Sequence, residues 1–282
     1  MNGGLTQSGK SLLSENQPES QAVDTCWGNR WKCVWKMGLD LLFPPVCLCC
    51  LQEFPAATVA AKLCQDCDEA LQADSSTKCP RCGQLVGAQA LPTGSCAGCC
   101  NSGSPIDQVY VHGNYDGPLR EVIIRMKRDR YEILTREMAR LFARSLASQW
   151  EGAPPDVVAA VPVHWLRRMT RCTHVAASLA RTAGDQLEVP PTIDLLLCTR
   201  RMGKQAWMLP DARRRNVRGG FAVSSTTSVQ GKHVLVVDDV MTTGATLDEI
   251  ARMLKQKRAR RVTVAVLARG LGDTIGTGSL RR

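Results

Sequence analysis

The chain reads as an α/β protein: a mostly parallel sheet flanked by helices, with a small cysteine-rich module ahead of it. Two observations carry this reading. Beyond Pro105, short apolar runs of strand length alternate with segments of helical periodicity, the pattern of a sheet covered on both faces. Before Pro105, ten of the 14 cysteines crowd between Cys47 and Cys100. A length of 282 residues with 44% hydrophobic content allows one sizeable core plus a smaller appended unit.

Residues 1–25 are mostly polar and small, and are expected to form a disordered extension. They hold no apolar stretch long enough for a signal-peptide core, so a cytoplasmic location is expected. Residues 26–46 follow as an amphipathic helix. Trp27, Trp31, Val34, Trp35, Leu39 and Leu42 recur at three- and four-residue steps until Pro44-Pro45 stops them. Docking on the rest of the molecule is the expected use of those tryptophans, with a membrane-surface helix as the alternative.

Residues 47–103 form the cysteine-rich module. Its pairs are Cys47-x-x-Cys50, Cys64-x-x-Cys67, Cys79-x-x-Cys82 and Cys96-x-x-Cys99, and 13 residues separate the pairs of each half. This doubled unit is close to the spacing of four-cysteine zinc sites, in which a two-residue spacer lets one tight turn present two thiolates. Gly83 directly after Cys82 suits a turn that needs positive φ. Sequential pairing puts Cys47, Cys50, Cys64 and Cys67 in one site and Cys79, Cys82, Cys96 and Cys99 in the other; a crossed arrangement stays open. Disulfides would need an oxidising compartment, for which no secretory signal speaks. Cys26, Cys33, Cys49, Cys100, Cys172 and Cys198 fall outside the scheme, as ordinary thiols.

Residues 104–270 are the main domain. Strands are expected at Gln108–Tyr115, Val157–Val161, Ile193–Cys198, His233–Val237 and Val262–Ala268, and helices at Leu119–Lys127, Ile133–Trp150, Val175–Leu187 and Thr246–Lys257. The stretch from Met202 to Ser228 fits neither template, being basic and interrupted by Pro210, and is expected to be a binding loop or lid. Residues 271–282 are a flexible tail. No run of eighteen apolar residues occurs, so no transmembrane helix is expected.

Lys and Arg number 36 against 26 acids, a formal charge of +10 that favours polyanionic partners. The cations cluster at Arg167, Arg168 and Arg171, and again at Arg200, Arg201, Lys204, Arg213, Arg214, Arg215 and Arg218. A plain solvated surface is the alternative use of such runs.

The most specific stretch runs from Val234 to Leu247. Four apolar residues make a central strand, Asp238 and Asp239 stand at its carboxyl end, and Thr242, Thr243, Gly244, Ala245 and Thr246 lead into a helix. Ligands of open α/β sheets bind at that end of the strands. The loop-to-helix junction offers N–H groups, hydroxyls and the positive end of a helix dipole, all suited to a phosphate dianion, and Gly244 permits close backbone approach.

This stretch resembles the ribose-phosphate signature of type I phosphoribosyltransferases. With the cysteines in front, the order of parts is similar to the ComF family of competence-associated, phosphoribosyltransferase-like proteins, over roughly residues 40–270. Supporting residues are Leu42-Phe43-Pro44, Cys79-Pro80-x-Cys82-Gly83, Tyr115-Asp116-Gly117, Lys127, Val161-Pro162-Val163-His164, Gln205, and Arg213-x-x-Asn216-Val217 leading to Gly220-Phe221. One place departs: the family's Arg-Gly-Phe-Asn-Gln is Arg171-Cys172-Thr173-His174-Val175 here.

The resemblance implies a type I phosphoribosyltransferase-like sheet with a zinc-ribbon-like module. It also implies magnesium-dependent transfer from 5-phosphoribosyl pyrophosphate (PRPP) to an acceptor the sequence does not reveal. Asp238 and Asp239 would hold the ribose hydroxyls, Thr242 to Thr246 the 5-phosphate, and Val161 and Pro162 the pyrophosphate, with Lys127 and Arg213 neutralising the departing group. Zinc would be structural and magnesium would travel with PRPP. The rival expectation is a non-catalytic protein that senses PRPP or nucleotide in DNA uptake or processing and binds single-stranded DNA. The oligomeric state is not legible.

Overall fold

The computed structural model describes residues 46–53, 62–86, 96, 99, 103–128, 131–162, 174–199, 215–225 and 227–270. The N-terminal extension, the amphipathic helix up to Pro45, the C-terminal tail, and the cations at 167–171 and 200–214 lie outside them. All described residues belong to one compact unit that begins at Val46, so the cysteine module and the main domain share a single body.

The main domain opens with β1 (Gln108–Asn114). The helices α2 (Gly117–Met126) and α3 (Glu132–Gln149) follow, a short α1 (Gln65–Ala70) having come earlier in the cysteine module. Next come β2 (Val157–Ala160), α4 (Val175–Gln186), β3 (Leu196–Cys198), β4 (Phe221–Val223), β5 (His233–Met241), α5 (Ala245–Gln256) and β6 (Arg261–Arg269). Four strands make a parallel sheet in the order β1-β6-β5-β2. Strands β3 and β4 form a separate antiparallel pair.

The pleat sends alternate side chains to opposite faces, and both faces are covered. On β5, Leu235 and Val237 join a cluster with Val122, Met138 and Leu179 of α2, α3 and α4. Val234 and Val236 join a second cluster with Leu247, Ile250 and Leu254 of α5. Each fully buried side chain of this kind stabilises by about 1.5–3 kcal/mol. The cysteine module is built into the first cluster, which also takes in Cys47, Cys49, Leu63 and Leu71.

Several boundaries differ from the sequence reading. The strand expected at Ile193–Cys198 is a 3-10 turn over Ile193–Leu195 and then three residues of β3, which leaves the main sheet to pair with β4. Strand β4 itself lies inside the stretch expected to be irregular. Strand β5 does not stop at Val237: it spans both acids, and its ladder with β6 runs through Asp238↔Val266 and on to Met241↔Arg269. The backbone partners offered by β6 outweigh the weak strand propensity of aspartate.

Where the sequence departs from the family pattern, His174 caps α4, its Nδ1 accepting from the Ala177 backbone N–H at 3.1 Å. An imidazole here satisfies one of the orphan donors of the first turn. Among the described residues no helix is long and apolar enough to cross a membrane.

Candidate functional site: an acid pair, a threonine-glycine loop and two four-cysteine knuckles

The carboxyl ends of the parallel strands gather the candidate residues. Asp238 and Asp239 lie near the end of β5, and each carboxylate accepts from the next backbone N–H: Asp238 Oδ1 from Asp239 at 2.8 Å, Asp239 Oδ1 from Val240 at 2.8 Å. These local bonds aim two adjacent acids without help from the core. Burial, and then the like charge of Asp239, push the Asp238 carboxyl well above its ordinary value, although the Asp239 N–H and Lys127 pull the other way.

Strand β5 ends at Met241, Thr242 and Thr243 bend, and Gly244 turns the chain into α5 with φ of 78°. That left-handed geometry favours glycine, and an added Cβ would meet the Met241 Cε at 2.8 Å. The Thr243 hydroxyl accepts from the Ala245 N–H at 3.4 Å. The loop therefore presents hydroxyls and the amino end of a 12-residue helix next to the acid pair.

Lys127, just past the end of α2, reaches into this site, its Nζ 3.0 Å from Asp239 Oδ2. Burial pulls its pKa down, but the attraction and hydrogen bond of Asp239, with Tyr115 and Asp238 behind, outweigh that and hold it above the ordinary lysine value. At the end of β2 the Val161 N–H donates to Val237 O at 2.9 Å, which brings Val161 and Pro162 beside β5. Arg213 and Gln205 lie outside the described residues.

The cysteines assemble as sequential sets. The sulfurs of Cys47, Cys50, Cys64 and Cys67 all lie within 4.8 Å of one another, as do those of Cys79, Cys82, Cys96 and Cys99. Four sulfurs placed tetrahedrally about zinc at about 2.3 Å stand about 3.8 Å apart. The Cys50–Cys64 and Cys79–Cys99 separations are 3.8 Å and Cys82–Cys96 is 3.5 Å. The donor set fits zinc, and the crossed arrangement is not formed.

Backbone amides support the sulfurs. Cys64 N–H and Cys96 N–H each donate to the first sulfur of their set, Cys47 and Cys79, at 3.3 Å. Burial raises both of these thiols, yet the amides overcome it and bring each to about 7. Burial and neighbouring thiols push Cys82 up to about 11, and drive Cys67 and Cys99 well up. Four thiols at this separation resist joint ionisation until a cation joins them.

The two halves repeat at the level of the backbone. Leu51 and Gly83, each one residue past a C-x-x-C, both take left-handed φ, 64° and 69°. Val46 bridges Glu53 in one knuckle as Lys78 bridges Leu85 in the other. The second knuckle lies directly on β1, where Val109 N–H donates to Pro80 O at 2.6 Å. The first knuckle is tied to α2 by Arg125, which donates to Cys49 O.

Comparison with known proteins fits this geometry. The sequence matches the family described as "Double zinc ribbon domain" over residues 38–103 and "Phosphoribosyl transferase domain" over 165–275. It is 30% identical over 231 residues to the DNA utilization protein YhgH of Escherichia coli O157:H7, covering 79% of this chain and 97% of that protein. The chain belongs to the ComF family.

Within the ComF family the chain is also similar to Competence protein F of Haemophilus influenzae, at 26% identity over 211 residues, 73% of this chain and 90% of that protein. Among solved structures, the glutamine PRPP amidotransferase from B. subtilis superposes with a TM-score of 0.33 and 24% identity, over 47% of this chain and 26% of that chain. An overlap of that size adds nothing to the assignment.

The structure brings Asp238, Asp239, Thr242 to Thr246, Lys127, Val161 and Pro162 to the carboxyl ends of β5 and β2, and assembles each cysteine set by itself. Sequence reasoning missed three residues beside them. Arg269, 6% exposed at the end of β6, donates from Nε to Cys82 O at 2.8 Å. Its Nη1 donates to Met241 O at 2.9 Å, Gly270 O at 2.9 Å and Thr242 O. The Ser104 hydroxyl donates to Asp248 Oδ1 in the first turn of α5 at 2.6 Å. A lone arginine closing an apolar strand at its carboxyl end was the available signal for Arg269.

Proposed function

We propose that this ComF-family protein binds PRPP at the carboxyl ends of β5 and β2 and, with magnesium, transfers its phosphoribosyl group to an acceptor. The observation that carries the reading is the junction of Asp238 and Asp239 with a hydroxyl-bearing loop that turns through left-handed Gly244 into α5. The acid pair would hold the ribose 2- and 3-hydroxyls, and the loop amides and threonines the 5-phosphate. Val161 and Pro162 would flank the pyrophosphate.

In this reaction the acceptor's lone pair forms the new bond at ribose C1 while the C1–oxygen bond breaks and its electrons leave with pyrophosphate. The cationic transition state asks for positioning and charge neutralisation rather than a protein nucleophile. Lys127, paired with Asp239, would neutralise the leaving group, with Arg213 as a second cation; the ion pair at the end of β5 supports the first of these roles. Magnesium would supply charge neutralisation on pyrophosphate oxygens. Calorimetry with PRPP, with and without magnesium, tests the reading. Binding that needs magnesium and disappears in Asp238→Asn/Asp239→Asn supports it, and equal affinity in the double variant overturns it.

A second reading has its own support. The exposed Lys257, Arg258, Arg260 and Arg261 stand at the turn that leads into β6, away from the strands' carboxyl ends, and relatives carry names of DNA utilization and competence. This surface would take single-stranded DNA through its phosphates, in the cytoplasm, with the PRPP site as a sensor or as an enzyme. Affinity for single-stranded DNA should then fall with salt by a log–log slope of roughly −0.7 per phosphate contact. No binding at low salt removes this reading.

A further inference from the structure

The hydrogen bonds of Arg269 run to main-chain carbonyls: Cys82 O in the second knuckle, Met241 O and Thr242 O in the loop, and Gly270 O. A buried guanidinium ordinarily takes a carboxylate, so this choice of acceptors calls for a cause.

Peptide geometry supplies one. In a trans peptide the C=O of one residue and the N–H of the next point in opposite directions. Holding the Met241 and Thr242 carbonyls on Arg269 therefore turns the Thr242 and Thr243 N–H groups away from it. Gly270 N–H adds a second hold on Met241 O at 2.9 Å. If either peptide flipped, a carbonyl oxygen would replace an N–H among the groups facing a dianion.

Arg269 is in turn anchored by the knuckle. Its Nε is fixed by Cys82 O, at the second thiol of the Cys79-x-x-Cys82 turn. That turn is seated on β1: an added Cβ at Gly83 would stand 2.4 Å from Val111 Cγ2. A second strut runs the same way, from Arg81 to Ser104 O at 3.3 Å and from Ser104 to Asp248 of α5.

We propose that Arg269 is a positioning residue that sets the direction of the phosphate-loop amides and makes that direction depend on the metal-loaded second knuckle. The ligand part rests on the PRPP reading; the coupling between knuckle and loop does not. Loss of zinc from Cys79, Cys82, Cys96 and Cys99 frees Cys82 O, then Arg269, then the two peptides. The cysteine module is thereby a condition for phosphate binding.

The test uses the full chain as parent, Arg269→Met, Arg269→Lys, Cys99→Ser and the Arg269→Met/Cys99→Ser double variant. Three quantities are measured: zinc per chain, hydrogen exchange of the 242–246 amides, and PRPP affinity with magnesium. Arg269→Met should keep the parent's zinc, speed exchange in the loop and weaken PRPP by roughly tenfold or more, since correctly aimed charge-assisted bonds are lost. Arg269→Lys keeps the charge without the fork and should recover only part of this. Cys99→Ser should reproduce the loop effect with Arg269 intact, and the double variant should be no worse than either single one, as for two links of one chain.

Unchanged loop exchange in Cys99→Ser, with its zinc reduced, overturns the coupling. PRPP affinity within about twofold of the parent in Arg269→Met, with loop exchange faster, overturns the positioning role. A parent that binds no PRPP overturns the ligand reading and the positioning role with it, while the exchange arm still decides the coupling.

Discussion

Lys127 Nζ stands 3.0 Å from Asp239 Oδ2 and so joins the end of α2 to the end of β5 across the mouth of the site. The lysine side chain is 38% exposed, so the pair contributes about 1 kcal/mol or less to stability. On the proposed PRPP reading, its value lies in the charge it would bring to the ligand. Lys127→Met should leave the melting temperature within a few degrees and weaken PRPP binding about tenfold. Calorimetry and a thermal melt on the same sample check both halves; a large fall in stability with unchanged affinity would make Lys127 a structural residue.

Asp238 carries a buried, repelled carboxyl whose pKa in the folded protein lies above its ordinary 3.8. A group raised on folding lends stability that is fully present below the unfolded pKa and lost as pH rises through the folded one. Asp238→Asn removes that loss. Its melting temperature should exceed the parent's at neutral pH, and the difference should close as pH falls toward 4. Melts across that window decide it, and a gap of the opposite sign contradicts the burial argument.

Cys67→Ser removes one thiolate from the first set. Zinc content should fall by about one equivalent per chain, because structural zinc contributes folding free energy directly. Leu63 and Leu71 of that module share a buried cluster with Val122 and Met126 of α2. The loss should therefore lower the melting temperature of the whole unit, as a single transition. Metal analysis of protein purified without added zinc gives the count, and a parent with less than one equivalent rejects the metal sites.

Leu51 and Gly83 take the same left-handed turn with opposite chemistry. Leu51→Gly relieves a strained φ in an exposed side chain and should be neutral or stabilising by up to about 1 kcal/mol. Gly83→Ala meets Val111 as well as the φ penalty, and should cost on the order of 2 kcal/mol or more. Chemical denaturation of the two variants measures the contrast.

Much of this was legible in the sequence because it rests on local pattern. The cysteine spacing repeats 32 residues on, from Cys47 to Cys79 and from Cys67 to Cys99, and no packing detail disturbs it. Strand β5, the acids, the loop and α5 follow one another without interruption. The six-residue α1 was missed since it has no buried side chain and so no apolar period. A three-residue strand such as β4 is too short for alternation to show, whereas the strand expected at Ile193–Cys198 survives in its second half as β3. Arg269 and Asp248 were missed for a different reason: their partners Cys82 and Ser104 lie 187 and 144 residues away, a relation that no window on the sequence contains.

The strand order places β1 at an edge of the sheet with β6 as its partner there. On the ribosome, residues 108–114 emerge long before 261–269 exist. The nascent chain must carry β1, and the metal module that leans on Pro80 and Val109, through most of synthesis with no neighbour on the sheet side. Distant pairings of this kind close slowly and leave unpaired strand edges open to other chains meanwhile. A stop codon just after Gln256 would therefore undo more than the last strand. It would also set loose the first strand, together with the knuckle that rests on it.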